Sequence, residues 1–106
     1  MRVLVLGSAA GGLRMKIPQG DAVPAFANGV RFRFDTVRKA RVVLAPERLF
    51  LPDEPAVEIL KLVDGVRRLD QIVDDLATRF DARRAVLAAD VPTMVGDLAE
   101  KEAIRL

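Results

Sequence analysis

Apolar residues change period along this 106-residue chain, and each change marks a structural element. Val3 to Leu6 is an unbroken apolar run that suits a buried strand. Gly7, Gly11, Gly12, Pro18, Gly20, Pro24 and Gly29 then punctuate the chain. Residues 1–29 therefore read as a flexible amino-terminal segment that is mobile or docks on a neighbour, with Met15 as an alternative start. The folded domain is expected over 30–106. Arg31 to Asp35 alternates polar and apolar with period two, which is the signature of a half-buried strand. Arg41 to Leu44 is a second strand, and Pro46-Glu47 turns the chain into a third, Arg48 to Leu51. Three short strands with tight connections predict a small antiparallel sheet that buries its apolar face on helices.

The period then becomes helical. Asp53 is placed as an N-cap, Glu54 suits the positive end of the helix dipole, and Pro55 is tolerated in the first turn. Val57, Leu60 and Val63 share a face, and Gly65 supplies a left-handed stop. A second helix starts near Asp70, with Ile72, Leu76 and Phe80 as its stripe and Val73 beside them. Asp81 is expected to cap a third helix, on which Leu87, Val91, Met94 and Leu98 face one way. Pro92 and Gly96 lie inside it, and a proline in a helix interior costs about 3 kcal/mol. The stripe continues in phase across Pro92, which favours a bend over a break and restart at Asp90. Ile104 to Leu106 reads as a terminal strand. The fold class is α+β: a winged helix-turn-helix-like arrangement of a three-stranded antiparallel sheet followed by three helices.

Composition narrows the chemistry. The chain has no His, Cys, Trp or Tyr, which removes imidazole bases, thiolate nucleophiles and the usual zinc ligands. The acids lie scattered over helix surfaces, so no enzyme activity, cofactor or metal is expected. The absence of cysteine is compatible with a reducing compartment, and a cytoplasmic location is expected. No stretch reaches transmembrane length, so no membrane partner is expected. Net charge is +2, but residues 1–48 are basic and residues 49–106 acidic.

Three constellations invite functional readings and carry little. The run Gly7-Ser8-Ala9-Ala10-Gly11-Gly12 follows an apolar strand like a nucleotide loop, yet it lacks the spacing of either nucleotide-binding motif. Asp70, Asp74 and Asp75 project from a helix surface, whereas hard-cation sites need convergent oxygens. Arg31, Arg33, Arg38, Lys39 and Arg41 form a basic ribbon, and a winged-helix DNA-binding regulator is the alternative function. The third helix argues against it. Arg83, Arg84 and Lys101 are offset by Asp90, Asp97, Glu100 and Glu102, with no Asn, Gln or Ser to read bases. No nucleic-acid partner is expected.

Leu49-Phe50-Leu51 is more informative. Alternation buries either Phe50 or the Leu49/Leu51 pair, but not both unless the second face is also covered. A short apolar strand at a sheet edge can capture an extended peptide. A dimerisation module in which this strand pairs with its own copy is a further reading, and the exposed edge or the amino-terminal arm could support a homodimer by segment exchange.

Several segments carry a family resemblance: Arg48-Leu49-Phe50-Leu51-Pro52, Ala56-Val57-Glu58-Ile59-Leu60, Asp64-Gly65, Leu69-Asp70-Gln71-Ile72-Val73 with Leu76 and Phe80, and Asp97-Leu98-Ala99-Glu100-Lys101. From Val30 to Leu106 the chain resembles the PqqD family of pyrroloquinoline quinone (PQQ) biosynthesis, a RiPP recognition element family. Residues 1–12 instead resemble the amino end of PqqB, another protein of that pathway; a fusion remnant, a mis-set start or a cloning scar would each account for them. The resemblance implies a peptide chaperone that binds the precursor peptide PqqA and presents it to the radical SAM enzyme PqqE. It also implies a guest strand beside the third strand and along the third helix. Carried onto this chain, the peptide-binding residues are Arg48, Leu49, Phe50, Leu51, Arg84, Val86, Asp90, Met94 and Val95. Pro92 and Gly96 are departures within that helix.

Overall fold

The computed structural model describes residues 2–6 by their backbone and residues 17–106 in full. The glycine-rich run 7–12 and the alternative start at Met15 lie outside the described residues. The strands are β1 (Arg2–Leu6), β2 (Ala25–Phe26), β3 (Arg31–Asp35), β4 (Ala40–Leu44), β5 (Arg48–Pro52) and β6 (Ile104–Arg105). The helices α1 (Glu54–Leu60), α2 (Leu69–Phe80) and α3 (Arg84–Glu100) lie between β5 and β6. The expected antiparallel β3-β4-β5 sheet followed by three helices is present. Its order is β1-β5-β4-β3, because β1 adds in parallel beside β5. A second small sheet pairs β2 with β6.

Two tight turns set the register of the main sheet. In the first, Asp35 Oδ1 accepts from the Val37 N–H at 2.8 Å and the Arg38 N–H at 3.2 Å, while Arg38 Nη1 meets the other carboxylate oxygen. In the second, the Ala45 N–H donates to the Arg48 carbonyl at 2.9 Å and the Arg48 N–H returns to Ala45 at 3.4 Å. Only Pro46 and Glu47 lie between them, so the β4–β5 hairpin has a two-residue loop.

Asp35 belongs to a pair of turn carboxylates that link this fold to pH. The Arg38 N–H, followed by its guanidinium, holds Asp35 below the ordinary value of 3.8. The N–H groups of Arg67 and Val66 do the same for Asp64 in the α1–α2 loop. A carboxylate depressed in the folded state adds stability above its unfolded pKa and loses it as pH falls through the folded one. Stability should therefore decline below about pH 4. The Asp35→Asn/Asp64→Asn variant, which keeps the acceptor oxygens, should show a shallower decline in urea melts between about pH 4 and pH 2. An equally steep decline would assign the acid sensitivity to other groups.

The helix ends agree with the sequence in part. Asp53 caps α1, accepting from the Ala56 N–H at 3.0 Å. The buried face of that helix is Ala56, Ile59 and Leu60, so Val57 is only half-buried. Gly65 is left-handed, at φ 76°, but it turns the loop beyond the helix and donates its N–H to Pro24. At α2 the Gln71 side chain accepts from the Arg68 N–H at 2.9 Å. Asp81 does not cap α3: it adopts φ 48° and closes α2, its N–H donating to Ala77. The chain uses Asp81 as the left-handed stop that glycine more often supplies, a conformation short polar side chains tolerate. Three residues later α3 begins at Arg84 and runs unbroken through Pro92 to Glu100.

All three helices pack on one face of the sheet. Phe50 and Val43 meet Ile59, Leu60, Ile72, Val91, Val95 and Leu98 in a single core. The described part of the amino-terminal segment, residues 17–29, is built into the fold. The carbonyls of Gly20, Ala22 and Pro24 accept from Asp70, Leu69 and Gly65, and Phe26 stacks on Phe32 with centroids 5.9 Å apart. The glycines and prolines signalled irregular backbone, and irregular backbone docks wherever its polar groups find partners.

Candidate functional site

The reciprocal bonds between Ala45 and Arg48 set the parity of the whole hairpin. In an antiparallel pair, residues that exchange both bonds alternate with residues that exchange none. With Val43 opposite Phe50 and Leu44 opposite Leu49, the N–H and C=O of Phe50 point to β4. Those of Leu49 and Leu51 point the other way, off the antiparallel sheet. This outer row is what an added strand would use, and here β1 takes it, with Val3 opposite Leu49 and Val5 opposite Leu51.

The side chains of β5 divide between two covered faces. Phe50 is fully buried in the core under the helices. Leu49 and Val42 are also buried, outside that core cluster. The second face is therefore covered, which is the condition under which Phe50 and Leu49 can both be buried. Arg48 is half-buried, with its guanidinium 5.4 Å from the Phe50 ring and 3.4 Å from Glu102 beyond the end of α3.

On α3 the expected contact residues separate by face. Val95 is fully buried and Met94 is 6% exposed. Met94, Asp90, Leu87 and Val91 line a cavity of about 500 Å³ whose other walls come from α1 and α2, among them Ile59, Leu76 and Phe80. Glu54, Glu58 and Asp90 bring acids to this cavity. Glu54 and Pro55, the first residues of α1, are among its walls. Arg84 instead lies with Ala88, Pro92 and Thr93 beside Ile17 to Gly20, and its guanidinium pairs with Asp74. Val86 is exposed. The structure thus brings Asp90 and Met94 together, sets Arg84 on another face, and puts Phe50 and Val95 in the core.

Phe80 was missed as a surface residue because its spacing matched the buried stripe of α2. It is 53% exposed on the last turn, under the Arg79 guanidinium. Its place directly before the left-handed Asp81 was the available signal, since a helix end seldom encloses its last side chain. Asp70, Asp74 and Asp75 pair with Arg68, Arg84 and Arg67 respectively, so each carboxylate answers a different cation. Within the basic ribbon, Arg38 pairs with Asp35 and Arg41 lies over the Phe32 ring.

Known proteins share this fold. The family model of coenzyme PQQ synthesis protein D (PqqD) matches residues 40–104, from β4 into β6. A PqqA binding protein of Rhodopseudomonas palustris (strain BisB5) is 49% identical over 78 residues, covering 74% of this chain and 76% of that protein. The bifunctional coenzyme PQQ synthesis protein C/D of Methylorubrum extorquens is 46% identical over 85 residues, 80% of this chain and 23% of that longer one. The solution structure of the PqqD truncation of Methylobacterium extorquens PqqCD, a stand-alone RiPP recognition element, matches with a TM-score of 0.71 at 44% identity. That match covers 83% of this chain and 94% of the other. A shared strand-and-helix order, a family match over more than half the chain and identities near one half converge: this chain belongs to the PqqD family.

Proposed function

We propose that this chain is a peptide chaperone of PQQ biosynthesis that binds the precursor peptide PqqA and presents it to the radical SAM enzyme PqqE. The observation that carries the reading is the outward row of N–H and C=O groups at Leu49 and Leu51, in a family whose relatives include a PqqA binding protein. An extended peptide on this row gains main-chain bonds from Leu49 and Leu51 and runs past Arg48 at one end. At the other end it meets the cavity lined by Asp90 and Met94. Phe50 and Val95 act from beneath, as the platform that holds β5 and α3 in place. Arg84 and Val86 contribute only where the guest reaches the first turns of α3.

The protein's part is to order a flexible guest and carry out no bond chemistry itself. Ordering a disordered segment costs about 2–5 kcal/mol, which leaves the moderate affinity that hand-over to an enzyme requires. Titrating isotope-labelled protein with PqqA should shift the amides of Arg48 to Leu51 and of Leu87 to Met94. Adding PqqE to the saturated complex should then broaden the peptide signals without releasing the peptide. Peptide shifts confined to the β3–β4 hairpin would sink the binding mode, and an unaffected complex would sink the presentation step.

A further inference from the structure

The outer row of β5 is already occupied. Arg2–Leu6 runs parallel to it over its whole length, in register from Arg2 opposite Arg48 to Leu6 opposite Pro52. The antiparallel parity leaves Leu49 and Leu51 facing β1, so in a parallel ladder the even-numbered residues of β1 return the bonds. The N–H groups of Leu4 and Leu6 then donate to the carbonyls of Leu49 and Leu51. These are the groups a guest peptide would use, and one row of donors and acceptors cannot serve two strands. β1 also precedes residues 40–104, the part that matches the family model.

We propose that β1 is a built-in competitor of the guest, an intramolecular strand that holds the β5 edge closed and must leave before an extended peptide can add. This rests on the reading of β5 as the peptide edge. A tethered strand competes at a high effective concentration whatever the amount of protein. It lowers apparent guest affinity by the fraction of molecules in which the edge is free. Its register sets one basic residue, Arg2, opposite another, Arg48. A guest offering an acid at that position would displace it more readily than a neutral one.

The test is the full-length chain carrying Leu4→Pro and Leu6→Pro, which removes both donors that β1 offers to β5 while leaving β3-β4-β5 untouched. Circular dichroism should show an unchanged fold. If β1 is seated in nine molecules of ten, PqqA should bind the variant about tenfold more tightly than the parent chain. Tightening by less than about twofold, with amide shifts still at β5 in both chains, overturns the competitor and leaves the peptide-binding reading intact. Binding in neither chain, or shifts away from β5 in both, overturns that reading instead. Sedimentation of the peptide-free parent chain completes the test. A monomer agrees with closure in cis, whereas a dimer that the two prolines dissolve would put β1 on a second copy and overturn it.

Discussion

Leu51→Pro is expected to cost this protein its grip on an extended peptide while leaving it folded. The Leu51 N–H points off the β4 side of β5, so proline there breaks no bond of the antiparallel sheet. Leu51 is only half-buried and lies one residue before the end of its strand. A bound guest would lose one main-chain bond and keep a carbonyl unpaired against β5. Together these are worth roughly 1–3 kcal/mol, or about fivefold to 150-fold in dissociation constant. The background matters, because the same donor serves β1 in the resting chain and a loss common to both strands would cancel. The comparison is therefore made in the Leu4→Pro/Leu6→Pro chain, by calorimetry with PqqA. Equal affinity with and without Leu51→Pro would show that the peptide does not add as a strand at this edge.

One residue earlier, the same change should destroy the fold. The Phe50 N–H points to β4, opposite Val43, and its ring is fully buried in the core. Removing a buried phenylalanine side chain alone costs about 3–5 kcal/mol. Proline adds a lost ladder bond and leaves the Val43 carbonyl unpaired, for roughly another 1–3 kcal/mol. A domain of this size has about 5–15 kcal/mol in total. Phe50→Pro should therefore abolish the cooperative urea transition or reduce its midpoint by more than half. A near-native midpoint would mean that the parity of β5 is reversed, and the outward row would then belong to Phe50.

The contrast between these neighbours shows where sequence reading stopped. Period-two alternation in Arg31 to Asp35 and the turn at Pro46-Glu47 were sufficient for the hairpins, because strand period and turn chemistry are local. Which β5 residues bond inward was not local. It depends on the two-residue loop closing between Ala45 and Arg48, and a loop one residue longer would have exchanged the roles of Phe50 and Leu51. The apolar stripe of α3 correctly placed Val91, Met94 and Leu98 in the core. It could not assign Val95, because the shared face it traced omits a residue that a close partner buries on its flank. Asp81 was misassigned for a related reason: an aspartate between two helices suits the start of one and the left-handed end of the other.

From the chain alone came the α+β class, the order of three strands before three helices, the lack of thiol and imidazole chemistry, and the family. These rest on local period, residue type and motif, which need no knowledge of what packs where. Tertiary structure alone decided that Phe50 and Leu49 are both buried, that Arg84 and Met94 lie on different faces, and that residues 17–29 are part of the domain. It also decided that the edge read as open is paired with β1. Strand pairing is a contact between Arg2–Leu6 and residues more than forty positions later. An apolar run such as Val3 to Leu6 states that it needs a partner, and only the folded chain determines which edge supplies one.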